Sequence, residues 1–195
     1  PEAEPFCRGA LDARKAALGP QHPETLASLS NLGALLQALG KHEEAEGPCR
    51  EALDGLELAL GPRHPESLLS AQNLALLLQA LGKPAEAEPL LRRALDGRRE
   101  ALGPAHPDTV SSLYHLAALL HAGNRLPEAE PLCRCAVDMV EARLGPEHPE
   151  ALQARSNLAV LLAALGRYEE AEEFMRGVLE ACEAAQGKGH PATER

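Results

Sequence analysis

The sequence predicts an all-α fold, a solenoid of antiparallel helix pairs, on three observations. Apolar residues make up 45% of the 195-residue chain while aromatics make up 2%, with no Trp, so the core is built from Leu, Ala and Val. Leu and Ala favour helices, and the aromatics that favour strands are scarce. The string Leu-Gly-Pro-x-His-Pro begins at Leu18, Leu60, Leu102 and Leu144, always at a spacing of 42 residues. Between those strings the leucines recur at helical intervals, as Leu26, Leu29, Leu32, Leu36 and Leu39 do.

The elements follow in order. Residues 1–17 read as a second helix without its first. Four full repeats occupy 18–59, 60–101, 102–143 and 144–185, with no insertion between them. Residues 186–195 start a further repeat with a worn linker, Gln186-Gly187-Lys188-Gly189-His190-Pro191. Both ends look like cuts inside a longer array, and their apolar faces are expected to self-associate or fray.

Each repeat holds two helices. The first opens after His-Pro, where Pro23 suits the first helical turn and Glu24 sits near the positive end of the helix dipole. It stops at Gly40, and Gly82, Asn124 and Gly166 hold the same slot. The second helix runs over about residues 41–59 and ends before Gly61-Pro62. Pro89 and Pro131 lie a turn inside the later copies, which predicts a mild kink or a late helix start there.

A small residue at Gly33, Ala75, Ala117 and Ala159, then Gly-Lys-x-x-Glu-Ala-Glu as at Gly40 to Glu46, then Ala52, Ala94 and Ala136, resemble tetratricopeptide repeats. The 42-residue period and the Leu-Gly-Pro-x-His-Pro linker resemble the kinesin light chain and nephrocystin-3 variety. The resemblance covers essentially the whole chain. It implies a right-handed superhelix in which first helices line a concave groove and second helices lie outside.

Charge placement points the same way. The segments 24–39, 66–81 and 108–123 carry one charge each, Glu24, Glu66 and Asp108, and 150–165 carries Glu150 and Arg155. The second helix of the first full repeat carries Lys41, Glu43, Glu44, Glu46, Arg50, Glu51, Asp54 and Glu57. A solvated helix needs a charged face, so the first helices are expected inside, covered on most sides.

Opposite the leucines, each first helix presents a stripe. The stripes are Ala27, Asn31, Ala34 and Ala38; Leu69, Asn73, Leu76 and Ala80; Ser111, His115, Ala118 and Ala122; Gln153, Asn157, Val160 and Ala164. Asn31, Asn73, His115 and Asn157 share one slot, where an amide side chain can both donate to and accept from a peptide backbone. The resemblance implies a peptide-binding position at that slot. The alternative is that the Asn row bonds neighbouring helices. Ser30, Gln72, Tyr114 and Ser156 flank the row on one side, and Gln37, Gln79 and His121 on the other. Tyr114 reads either as a specificity anchor or as packing between repeats. The stripe holds no Lys or Arg, so the carboxylate and acidic-peptide partners of related proteins do not carry over, and a neutral or apolar peptide is expected.

Other chemistries are excluded or weak. With 19 basic and 29 acidic residues the chain carries −10, which repels phosphate backbones, so no nucleic-acid partner is expected. His22, His64, His106, His148 and His190 stand one to a repeat, too far apart to share a metal, and read as linker residues. Cys7, Cys49 and Cys133 share a core slot with Leu91 and Met175, while Cys135 faces elsewhere and is expected to be exposed. Five cysteines, an odd number, fit a reducing, cytoplasmic location. No segment reads as a membrane span, a phosphate loop or a catalytic triad, so neither enzymatic activity nor a cofactor is expected. The function implied is a protein-interaction scaffold holding an extended peptide. The alternative is a regulatory sensor arm of a larger protein such as a nucleotide-hydrolysing switch ATPase.

Overall fold

The computed structural model describes residues 3–186, which form nine helices. They are α1 (Ala3–Leu18), α2 (Pro23–Ala38), α3 (His42–Leu60), α4 (Pro65–Ala80), α5 (Pro84–Leu102), α6 (Pro107–Ala122), α7 (Leu126–Leu144), α8 (Pro149–Ala164) and α9 (Tyr168–Gln186). The chain divides into two compact units, Pro1–Gly103 with α1–α5 and Pro104–Arg195 with α6–α9. Within each unit every helix packs on the next, and α2 also touches α4. The fifth His-Pro, at His190, lies outside the described residues.

The linker residues start each first helix as the sequence requires. His22, His64, His106 and His148 are N-caps with extended backbone, each followed by proline in the first turn. Their Nδ1 atoms accept the amides of Glu24 at 3.3 Å and of Glu66, Asp108 and Glu150 at 3.2 Å each. That satisfies one orphan donor per helix, the work a Ser or Asp cap usually does. The stop is equally regular. The amides of Lys41, Lys83, Arg125 and Arg167 donate to the carbonyls of Leu36, Leu78, Leu120 and Leu162 at 2.8–2.9 Å, which closes a Schellman turn. The turn needs a left-handed residue. Gly40, Gly82 and Gly166 supply it, and Asn124 adopts φ 56° in the third copy.

First helices are the buried ones. α4 buries nine of its sixteen residues, whereas α5 buries six of nineteen. Leu26, Leu29, Leu32 and Leu36 are all at most 4% exposed, and Ala45, Ala52, Ala87, Ala94, Ala129 and Ala136 are at 0%. These alanines let paired helices approach closely, which a larger side chain would prevent. Size is also traded across pairs. A Cβ on Gly55 or Gly97 would meet the methyls of Leu26 or Leu68 at 2.6–2.8 Å. Where Val110 replaces that leucine, Met139 replaces that glycine. Cys49 and Cys133 are buried core fillers, and burial pushes the Cys49 thiol up to about 11. Cys135 is half-buried rather than exposed.

The expected late start at Pro89 and Pro131 does not occur. α5 and α7 each begin five residues earlier and run on through the proline, as α3 does through Pro48. In α5 the proline removes only the bond to the Ala85 carbonyl, near the end where intrahelical bonds are already missing.

On the outer helices, charges from consecutive repeats interlock. Glu46 of α3 pairs with Lys83 at 2.7 Å and Arg50 at 2.9 Å, and Arg50 reaches Glu86 of α5 at 2.7 Å. Glu130 of α7 pairs with Arg134 at 2.8 Å and Arg167 at 2.5 Å, and Arg134 reaches Glu170 of α9 at 3.0 Å. Glu4, Arg8, Lys41 and Glu44 repeat the arrangement between α1 and α3. The signal was in the sequence as a cation followed by Glu at +3, Glu at +5 and Arg at +9. It was hidden because the partners sit 36 and 37 residues apart.

Two outcomes follow. His64→Ala should lower stability by about 1 kcal/mol in urea denaturation, and His64→Asp should retain most of it. Lys83 and Arg50 hold the Glu46 carboxyl below its usual range, and Arg134 and Arg167 do the same for Glu130. A depressed carboxylate contributes stability above its unfolded pKa and loses it as pH falls through the folded value. Glu46→Gln/Glu130→Gln should therefore show a shallower loss of stability below about pH 4 than the parent chain, measured by denaturation across pH.

Candidate peptide-binding face

The exposed side of α2, α4 and α8 is what the second helices packed on either side leave uncovered. In the unit holding α1–α5, Asn31 is exposed, Asn73 is half-buried and Leu69 is 41% exposed. Leu76, Gln37 and Gln79 are partly exposed beside them. In the unit holding α6–α9, His115 and Tyr114 are half-buried, while Asn157, His121 and Val160 are exposed. Ser156 is half-buried and donates its hydroxyl to the Leu152 carbonyl at 3.0 Å. Ser111 and Gln153 add two further polar side chains, and the rest of the face is alanine, leucine and valine, without a lysine or arginine.

Two of the flanking residues lie inside. Ser30 is 5% exposed and Gln72 is 8% exposed. The Gln72 carbonyl oxygen accepts a hydrogen bond from Arg98, itself only 6% exposed. A buried guanidinium needs acceptors, so Gln72 is held by the α4–α5 contact and not presented to a ligand. Arg98 stands where Arg14, Leu56 and Val140 stand in other repeats, so repeat position alone does not tell whether that slot is polar or apolar.

The second unit adds a cleft of about 350 Å3 between α6 and α8. Val110, Ser111, Tyr114 and His115 line one wall, and Gln153 and Asn157 the other. Burial pushes the Tyr114 hydroxyl pKa up, so the phenol stays neutral. The Gln153 amide donates to Asn157 Oδ1 at 3.0 Å, which leaves the Asn157 amide hydrogens free to donate. Arg143 and Glu150 pair at 2.8 Å and border the same cleft. The stripe on the first helices has no cation, but the last turn of α7 supplies one here. Sequence reasoning missed Arg143 because it belongs to a second helix.

Among the described residues no group of three His, Cys, Asp or Glu side chains could hold a metal ion. No helix among them is long and apolar enough to cross a membrane.

The tetratricopeptide-repeat family model matches residues 1–58, 42–100, 66–142 and 108–184. The chain belongs to the tetratricopeptide-repeat family. Its fold class is therefore the all-α solenoid of paired helices, as the 42-residue period predicted. Among solved structures, a putative kinesin light chain from Podosopora anserina with nearly identical tetratricopeptide-like repeats is 29% identical, with a TM-score of 0.86. That match covers 95% of this chain and 88% of the other. BtubC (BKLC) from P. vanneervenii is 22% identical at a TM-score of 0.84, covering 97% and 75%, which shows the fold alone. MamA aligns at 18% identity and a TM-score of 0.66, over 97% of this chain and 89% of its own. None of the curated protein sequences matches the chain. Tetratricopeptide repeats are protein-interaction scaffolds, and that general role extends to this chain. The kinesin light chain likeness inferred from the linker is shown by the Podosopora anserina neighbour.

Gln72→Ala should cost about 1–3 kcal/mol of stability by stripping an acceptor from buried Arg98, whereas Gln79→Ala on the exposed side should cost under about 0.5 kcal/mol; thermal unfolding of the two variants separates a core residue from a face residue.

Proposed function

We propose that in each unit the exposed side of the first helices binds an extended, neutral-to-apolar peptide segment of a partner protein. One observation carries the proposal. Asn31, Asn73 and Asn157 keep side-chain amides accessible at one repeat slot, set among small apolar residues and without a basic residue in the stripe. A backbone has no charge and alternates donors with acceptors, so a row of amides can hold it whatever its side chains. Selectivity then falls to the places where the row departs from Asn, namely His115 and the neighbouring Tyr114. The Gln153–Asn157 bond supports this role, since it fixes the Asn157 acceptor while leaving its donors to a ligand. The scaffold is further proposed to work in a reducing compartment, on the ground that Cys7, Cys49, Cys133, Cys135 and Cys182 are all unpaired.

The terminal helices bear on self-association. Phe6 on α1 is 79% exposed. Met175 and Leu179 on α9 are 39% and 41% exposed, where Cys49 and Leu53 at the same repeat slots are 2% and 5%. Those faces support the proposal that copies of this chain associate through α1 and α9.

A random peptide library should yield ligands of low charge. The Asn31→Ala/Asn73→Ala/Asn157→Ala variant should bind those ligands more than tenfold more weakly, because each lost backbone bond costs about 1 kcal/mol. Unchanged affinity in a still-helical variant would move the site off this face.

A further inference from the structure

Aligning the chain with itself shows a set of three slots in which charge moves between helices. By sequence the sets are Lys15, Leu29 and Glu51; Glu57, Ala71 and Arg93; Arg99, Leu113 and Cys135; Glu141, Arg155 and Gly177. In each set the first and third residues belong to consecutive second helices, and the middle one to the first helix between them. Every set that contains a glutamate contains one cation, but the cation changes place.

The structure gives the reason. In the first unit Glu57 of α3 forms an ion pair with Arg93 of α5, from one second helix to the next. In the second unit the equivalent glutamate, Glu141 of α7, pairs instead with Arg155, which rises from α8. The two glutamate side chains have the same exposure, 26% each. A carboxylate so far withdrawn from water needs a counter-charge, whichever helix provides it. Gly177 of α9 makes the relocation feasible. A Cβ there would lie 3.5 Å from Arg155 Nη1, so the glycine presents bare backbone where Arg93 stands in the other unit. Arg155 and Gly177 together border a cleft of about 520 Å3 that Phe174 also lines.

We infer that Arg155 is a positioning residue that seats α9 on α7 and α8, doing from a first helix what Arg93 does from a second helix. It is the sole lysine or arginine on α2, α4, α6 and α8, and this role removes it from ligand recognition. The inference stands apart from the peptide proposal, since it concerns the side of α8 turned away from Asn157.

A double-mutant cycle on the full chain tests it. Arg155→Ala should lower the thermal midpoint by about 2–4 °C and speed hydrogen exchange in α9. Adding Gly177→Arg should recover both, because it rebuilds the arrangement of the first unit. Adding Gly177→Gln, which brings the same gain in helix propensity without charge, should recover the helical part alone and leave Glu141 without a partner. Equal recovery by Gln and Arg would overturn the inference. So would an Arg155→Ala variant with an unchanged midpoint and unchanged exchange. Loss of peptide affinity in that unperturbed variant would make Arg155 a ligand contact instead.

Discussion

Each first helix must be covered on most of its circumference, and the rest of both units depends on that. The covered faces of α2, α4 and α8, which pack on the second helices to either side, cannot carry a charge without a partner, because an unpaired buried charge is too costly. Such a helix can carry Leu on the covered sides, and Ala on its partner where the backbones come closest. It must also start and stop within a few residues, since the chain has to re-enter the second layer at once. The histidine cap and the Schellman turn meet that requirement at a fixed place in every copy. What remains uncovered on each of these helices is a narrow strip of surface.

Charge, confined on the first helices to their first turns and to Arg155, accumulates on the second ones. There it is organised across repeats and not merely solvated. Glu46 and Glu130 each sit between two cations, one from their own helix and one from the next repeat. Isolated surface pairs contribute little, but a network shares the cost of ordering each side chain among several partners. The last described helix shows the contrast. Glu172 holds the same slot on α9 and pairs with Arg176, its one ion-pair partner among the described residues, and both side chains are more than half exposed, at 71% and 65%.

Much of the architecture could be read before any coordinates. Period, helix boundaries, the His-Pro start, Asn124 as a left-handed residue and the burial of the leucine stripe all depend on local rules that act within one repeat. Residues that depend on a neighbour across the interface could not be read that way. Gln72 looked like a face residue because helical geometry places it beside Asn73, and only the path of Arg98 shows that it faces inward. Arg143 enters the cleft from a different helix, and the charge network joins residues a full repeat apart. Proline inside α5 and α7 misled for a related reason. Its cost depends on how many bonds its position in the helix would otherwise make, and that count follows from where the helix begins.

The exchange of size between Gly55 and Leu26, Gly97 and Leu68, and Met139 and Val110 has an evolutionary consequence. Although the copies keep one length and one register, they are not spare parts for one another. Recombination that exchanged a lone second helix between copies would set Met139 against Leu26, or leave Val110 facing a hollow. Recombination at the Gly-Pro linkers moves both partners together and keeps the fit. Duplication in whole 42-residue steps, with crossovers confined to the linkers, is the path along which an array of this kind can lengthen without passing through a misfolded ancestor.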